Sequence, residues 1–243
     1  MNILAIESSG VTASAAFLED DILRGEFLTD TAATHSQTLL PMLKALRDMT
    51  QFDLRDLSAI ALAKGPGSFT GLRIGASMGE ALSMVFDVPI VPVPTTMGIA
   101  FNLSTQEDRV VCPLMNARRN QTYTAVYAFD EGKIKTLVPQ TAVPIEDIIS
   151  RINDLGRPVT FLGDGVGIFD EAIRDMAKVP VMTAPAHLRR QRASSFAYAA
   201  LQLLEEGEGI TADDFRLDYI RLPQAVREKL EKVEKVEKKG KTP

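Results

Sequence analysis

Ser58-Ala59-Ile60-Ala61-Leu62-Ala63-Lys64-Gly65-Pro66-Gly67-Ser68-Phe69-Thr70-Gly71-Leu72-Arg73-Ile74-Gly75 passes from a continuous apolar run, through a glycine-rich turn, into apolar residues at helical spacing. An uninterrupted apolar strand at 58–63 suits a sheet covered on both faces. A turn leading directly into a helix is the strand–turn–helix step of an α/β layer. The helix is predicted from about Gly71 to Phe86. Upstream, 2–7, 12–18 and 22–29 read as three strands, split by Ser8-Ser9-Gly10 and by Glu19-Asp20-Asp21. Thr34 or Ser36 is placed to cap a helix running to about Met49. Downstream, Pro89 to Val93 reads as a strand and Thr95 to Leu103 as a helix.

The order then repeats, with strands at 109–115, 121–129 and 132–138, a helix at 145–155, a strand at 158–163, a helix at 166–177 and a short strand at 179–183. A further helix, capped by Ser194, ends near Gly207. Each half thus reads βββαβα plus a strand, which predicts an α/β fold of two mixed sheets with flanking helices. Two such copies resemble the tandem ribonuclease-H-like architecture of the actin, Hsp70 and sugar-kinase superfamily. The expected domains are 1–108 and 109–223, with the helix at 194–206 free to pack back on the first, followed by a charged tail at 224–243.

Composition narrows the function classes. The 243 residues are 45% hydrophobic and 24% charged, and Pro breaks the longest apolar runs, such as Val88 to Val93, far short of a membrane span. Met1 to Ile6 has no basic region before Glu7, so it reads as a buried strand and not a signal peptide; a cytoplasmic location is expected. Cys112 is the only cysteine. Lying between Val110-Val111 and Leu114-Met115, it is expected to be a buried, inert strand residue. Net charge is −5, although residues 227–243 hold seven Lys/Arg against four Glu. The body before that tail is therefore acidic, which argues against a chain that grips nucleic acid alone. The tail is expected to be a flexible end or a marginal helix, removable without loss of folding.

The motifs offer little catalytic equipment. The turn at Gly65–Gly75 reads either as an anion cradle at a helix N-terminus or as a tight turn with close helix packing, and it lacks the Gly-Lys-Ser/Thr of a P-loop. In the superfamily, hairpin turns bearing Asp and Gly grip the ATP phosphates. Here the first turn has Glu7-Ser8-Ser9-Gly10, whereas the second has Asn116-Ala117-Arg118-Arg119-Asn120, with no carboxylate for Mg²⁺. His35 and His187 are too far apart in sequence to form a helix-borne metal pair, and no Gly-x-Ser-x-Gly elbow is present. No catalytic or metal residue is assigned. Ser8, Ser9, Gly67, Ser68, Arg118 and Gly163 are candidates for contact with an anion or nucleotide. A partner interface is expected from Leu39, Met42, Leu43 and Leu46 on one helix and Leu72, Gly75, Met78, Gly79 and Leu82 on the next.

His35-Ser36-Gln37-Thr38-Leu39-Leu40-Pro41, Gly65 to Gly75 and Asn116-Ala117-Arg118-Arg119 resemble the TsaB (YeaZ) family, closely over 1 to about 125 and more loosely at Gly163-Asp164-Gly165 and Tyr219-Ile220-Arg221. The resemblance implies an accessory subunit in the formation of N6-threonylcarbamoyladenosine at position 37 of tRNAs reading ANN codons. It implies a non-catalytic relative of the TsaD transferase, which such a subunit binds and activates, with a TsaE-type ATPase as third member. It also implies tRNA contact only through the complex, no tightly bound cofactor, and ATP and a metal on the partner; the helices at about 36–49 and 71–86, by their apolar surface and glycine gaps, are expected to serve either a homodimer when the chain is alone or the TsaD-like partner, never both at once. The family commonly has Asp-Ala-Arg-Arg-Gly-Glu-Val-Tyr where Asn116 to Tyr123 stand, and Glu at the position of Gln37. The rival expectation is an autonomous ATP-dependent kinase or ATPase resting on Glu7–Gly10 and Gly163-Asp164-Gly165; a peptidase is a third.

Overall fold

The computed structural model describes residues 1–31 and 33–221. Leu222, Pro223 and the expected tail at 224–243 lie outside the described residues. The first sheet is built from β1 (Asn2–Glu7), β2 (Ala13–Glu19), β3 (Ile22–Thr29), β4 (Ala59–Gly65) and β5 (Ile90–Pro94), in the order β3-β2-β1-β4-β5. β1 runs antiparallel to β2 and parallel to β4. The second sheet contains β6 (Val110–Asn116), β7 (Gln121–Asp130), β8 (Lys133–Pro144), β9 (Val159–Leu162) and β10 (Val181–Thr183), in the order β10-β9-β6-β7-β8. With β6 again antiparallel to β7 and parallel to β9, it repeats the first sheet strand for strand. The fold is two tandem ribonuclease-H-like units.

Alternation along β1 explains the layering. Leu4 and Ile6 face α1 (His35–Thr50) and α2 (Phe69–Phe86), packing with Leu39, Met42 and Leu46. Ile3 and Ala5 face the opposite way, into a central cluster with Ile99 of α3 (Thr95–Ala100), Phe196 of α7 (Ala193–Glu205), and Val111 and Tyr127 of the second sheet. The far face of the second sheet is covered by α4 (Ile145–Leu155) and α5 (Asp170–Met176). Between β10 and α7, the short α6 spans Ala186–Arg189.

Several boundaries differ from expectation for local reasons. α2 begins at Phe69, because the Ser68 side chain accepts from Gly71 N and caps the helix two residues early. The predicted helix at 166–177 shortens to α5, since 163–169 forms turns in which Gly165 N donates to Leu114 O. β8 continues to Pro144 by keeping its pairing with β7 through register shifts. Ser194 is not the cap of α7. It lies inside the helix, where its N and Oγ donate to Glu26 Oε1 at 3.0 and 2.8 Å, so a carboxylate on β3 fills the capping role.

Candidate functional site

The two halves meet at a cleft of about 540 Å³ lined by Ser9, Gly10, Ser68 and Thr70 on the first half, Asn116, Ala117, Arg118 and Asp164 on the second, and Tyr219 and Arg221 from the C-terminal segment. Its first wall is the β1–β2 turn locked onto the start of α2. Ser68 N donates to Ser9 O at 2.7 Å, and Ser8 Oγ donates to Gly71 O at 2.9 Å. A Cβ on Gly71 would fall 2.1 Å from Ser8 O, on Gly67 2.4 Å from Ser9 O, and on Gly75 2.3 Å from Ser8 Oγ. The glycines therefore serve close backbone packing. Ser9 O and the Ser68 side chain already engage two of the donors that an anion cradle would offer, so the tight-turn reading accounts for the block.

Glu7, fully buried, is the charged residue of this wall. Its Oε1 accepts from Ser9 N at 2.7 Å and Ser9 Oγ at 2.5 Å, while Oε2 is buried with no partner among the described residues. Burial raises its pKa to about 7, against the opposing pull of the Ser9 and Gly10 hydrogen bonds. His35 Nε2 donates to Gly10 O at 2.9 Å, and its Nδ1 is also buried without a partner. Buried Gln191 packs against Gly10, where an added Cβ would meet its Nε2 at 2.4 Å. Thus His35 and Gln191 buttress the turn from two sides.

The second wall has a different chemistry. Arg118, Arg119 and Asn120 take φ of 61°, 53° and 57°, the left-handed conformation in three successive non-glycine residues. Asn116 Oδ1 accepts from Arg118 N at 2.8 Å, and Ala117 N donates to Gln121 O at 2.9 Å, closing the turn. Its polar side chains are two amides and two guanidiniums. The carboxylate on this wall comes from another element: Asp164 Oδ1 accepts from Asn116 N at 3.2 Å, and partial burial raises its pKa. Gly163, with φ 102°, lets the chain pass Leu114 O where a Cβ would lie at 2.2 Å. It is buried and shapes the loop that presents Asp164.

The sequence-assigned residues therefore divide. Ser9, Gly67, Ser68 and Arg118 come together at the cleft, whereas Ser8 and Gly163 lie buried behind it. Of the helix residues, Leu39, Met42, Leu46, Leu72, Gly75 and Gly79 are buried in the chain's own core, and a Cβ on Gly79 would strike Leu62 at 2.5 Å. Leu43, Met78 and Leu82 are partly exposed. With Leu40, Pro41, Phe52 and Leu54 they line an apolar groove of about 530 Å³ between α1 and α2, rimmed by Lys44 and Arg47. Met49, Met84 and Val85 are further exposed apolar residues of the two helices.

Cys112 is buried beside Thr124 Oγ1, and desolvation pushes its pKa up to about 12, so it is a thiol and not a thiolate nucleophile at neutral pH. Among the described residues no group of three or more His, Cys, Asp or Glu could hold a metal ion, and no helix is long and apolar enough to cross a membrane. Sequence reasoning missed Gln191 as a buttress and Tyr219 with Arg221 as cleft residues, since they lie far along the chain from what they touch.

The family described as TsaD, tRNA N6-adenosine threonylcarbamoyltransferase, matches residues 29–229. The tRNA threonylcarbamoyladenosine biosynthesis protein TsaB of Bacillus subtilis is 32% identical over 95% of this chain and 99% of its own length. The protein of the same name from Escherichia coli is 32% identical over 55% of this chain and 58% of its own length. In structure, YeaZ from Pseudomonas aeruginosa superimposes with a TM-score of 0.78 at 24% identity, over 90% of this chain and 99% of that one.

Proposed function

We propose, from the premise that this chain belongs to the TsaB family of tRNA threonylcarbamoyladenosine biosynthesis proteins, that it is the accessory subunit that binds and activates a TsaD-type transferase. The observation that carries the accessory role is the make-up of the cleft. In the actin and sugar-kinase superfamily the nucleotide-metal clamp is built from acidic hairpin turns of both halves, which supply the one or two carboxylates that Mg²⁺ takes beside the phosphates. Here Glu7 is buried, and the second turn offers Asn116, Arg118 and Arg119 instead. In this reading the chain itself performs no catalytic step and holds no cofactor tightly. ATP and a metal belong to the transferase, a TsaE-type ATPase completes the complex, and tRNA is met only in that assembly, in the cytoplasm.

The outer face of α1 and α2 is the surface proposed for the partner, or for a second copy when the chain is alone, one excluding the other. Leu40, Leu43, Met78 and Leu82 give it apolar area, each side chain contributing roughly 1.5–3 kcal/mol if fully buried. The buried glycines and leucines of the same helices hold the face against the sheet. The test is co-purification with the host's TsaD-type protein, followed by assay of threonylcarbamoyl transfer to tRNA with and without this chain. Transfer is expected to fall to background without it. Met78→Glu should break association while the monomer stays folded, as circular dichroism would show. Turnover of Mg-ATP by the isolated chain would instead establish the kinase or ATPase reading.

A further inference from the structure

The two sheets share one apolar core, and apolar contact is non-directional: it holds two layers together without choosing the angle between them. Ile3 and Val91 of the first sheet and Val111 and Phe129 of the second pack into that core with Ile99 of α3. α3 follows β5 directly and lies against β4 and β5 on one side and β6 and β7 on the other. Within this joint lies a set of directional bonds centred on Gln140 of β8. Its Oε1 accepts from Thr96 Oγ1 at 2.8 Å and from Thr96 N at 3.3 Å, while its Nε2 donates to Gly65 O at 3.2 Å. Having given its one proton to Gln140, the fully buried Thr96 hydroxyl accepts from Tyr127 OH at 2.8 Å. One amide of the second half thus grips the first half at two points, the start of α3 and the end of β4. Just beyond α3, Asn102 makes a second tie: its Nδ2 donates to Leu188 O at 2.8 Å and Arg190 O at 2.7 Å, in the segment leading from the second sheet to α7.

We propose that Gln140 is a latch that fixes the angle between the two halves, so that the chain is a rigid strut and not a hinged clamp. Hydrogen bonds weaken steeply with misalignment, whereas apolar surfaces can slide. Rotation of one half about α3 would pull Gln140 away from Thr96 or from Gly65, and Thr96 is fully buried, where an unpaired N–H or hydroxyl loses its partner without gaining water. An amide suits the place because it offers an acceptor and a donor from one side-chain end, one for Thr96 and the other for Gly65. Gly65 also begins the glycine block that leads into α2. The second half, which has no part in the outer face of α1 and α2, therefore sets the angle at which that face stands. The inference rests on the joint alone and is independent of what the face binds.

The test uses the full chain with spin labels at two exposed positions, Met84→Cys on α2 and Arg151→Cys on α4; the native Cys112 is fully buried. Pulsed dipolar spectroscopy is expected to give one narrow distance between them. Gln140→Leu removes every bond of the latch at similar volume, so it should widen that distribution at least about twofold and quicken amide exchange at Thr96 at least about tenfold, with α4 amides unchanged. Gln140→Glu keeps the acceptor for Thr96 but sets a carboxylate oxygen against Gly65 O. It should widen the distribution by less and leave Thr96 protected. A broad or two-peaked native distribution would overturn the strut. Native width, or native exchange at Thr96, in a Gln140→Leu variant shown by circular dichroism to be folded would overturn the latch. If Gln140→Leu does not fold, the width for Gln140→Glu decides, and a native value overturns the proposal.

Discussion

The β1–β2 turn and the β6–β7 turn occupy equivalent places in two sheets of identical strand order, yet they are built on opposite principles. The first is dense: Gly67, Gly71 and Gly75 draw α2 against it, and a buried carboxyl, an imidazole and an amide prop it from behind. The second is open, with exposed Arg118, Arg119 and Asn120 held in left-handed conformation by their neighbours. Repetition of a topology fixes where a turn sits, not whether it is packed for shape or left available for chemistry. In this chain the packed turn belongs to the half that carries the α1–α2 face.

That contrast breaks most visibly at Gly71. Gly71→Ala puts a methyl 2.1 Å from a backbone carbonyl that cannot swing aside, so a loss of about 3 kcal/mol or more is expected in urea unfolding. An unchanged midpoint would mean the turn can yield. Glu7→Gln comes next and is pH-dependent. Folding raises the Glu7 pKa from its ordinary 4.5 to about 7, so the native state holds the proton more tightly. The associated stability is complete below about pH 4.5 and is lost as pH rises to about 7. Relative to Glu7→Gln, the native sequence should therefore lose up to about 3 kcal/mol between pH 4.5 and 8, read from denaturant midpoints; parallel profiles would place the carboxyl in contact with solvent.

Smaller effects belong to the open turn. Asn120→Gly relieves a left-handed side-chain residue and should stabilise by no more than about 1 kcal/mol, visible as a small rise in melting temperature. A marked loss would show that the Asn120 side chain holds the turn. Asn116→Asp, restoring a carboxylate beside Asp164, should leave Mg-ATP turnover at background because Glu7 stays buried on the opposite wall. Activity gained by that single change would make the second turn the whole obstacle.

Much of this architecture is legible in the residues. Apolar runs bounded by Gly, Pro and Asp mark the strands, and the two repeats show in their order, because these signals are local. Helical spacing placed Leu39, Met42 and Leu46 on a common face, but periodicity does not say whether that face meets the chain's own sheet or a partner; here it meets Leu4 and Ile6. Likewise Gly75 and Gly79 announce close approach without naming what approaches, which proves to be Ser8 and Leu62. Glu26 as the cap of α7 and Arg221 on Ala117 join residues more than a hundred positions apart. Nothing in the pattern around either one signals its partner.

α7 has a consequence for how the chain comes into being. It comes late in the sequence, yet it covers one face of the earliest sheet, packing on β1, β2 and β5 with Phe196 pressed against Gly98. A ribosome delivers β1 to β5 long before it delivers residues 193–205, so the part of that face that α7 covers must wait through the synthesis of the entire second sheet. The half that begins first is thus completed last. A nascent chain halted before α7 should leave the face carrying Ile3, Ala5 and Val91 incompletely covered and be a better substrate for chaperones than one halted a few tens of residues after it.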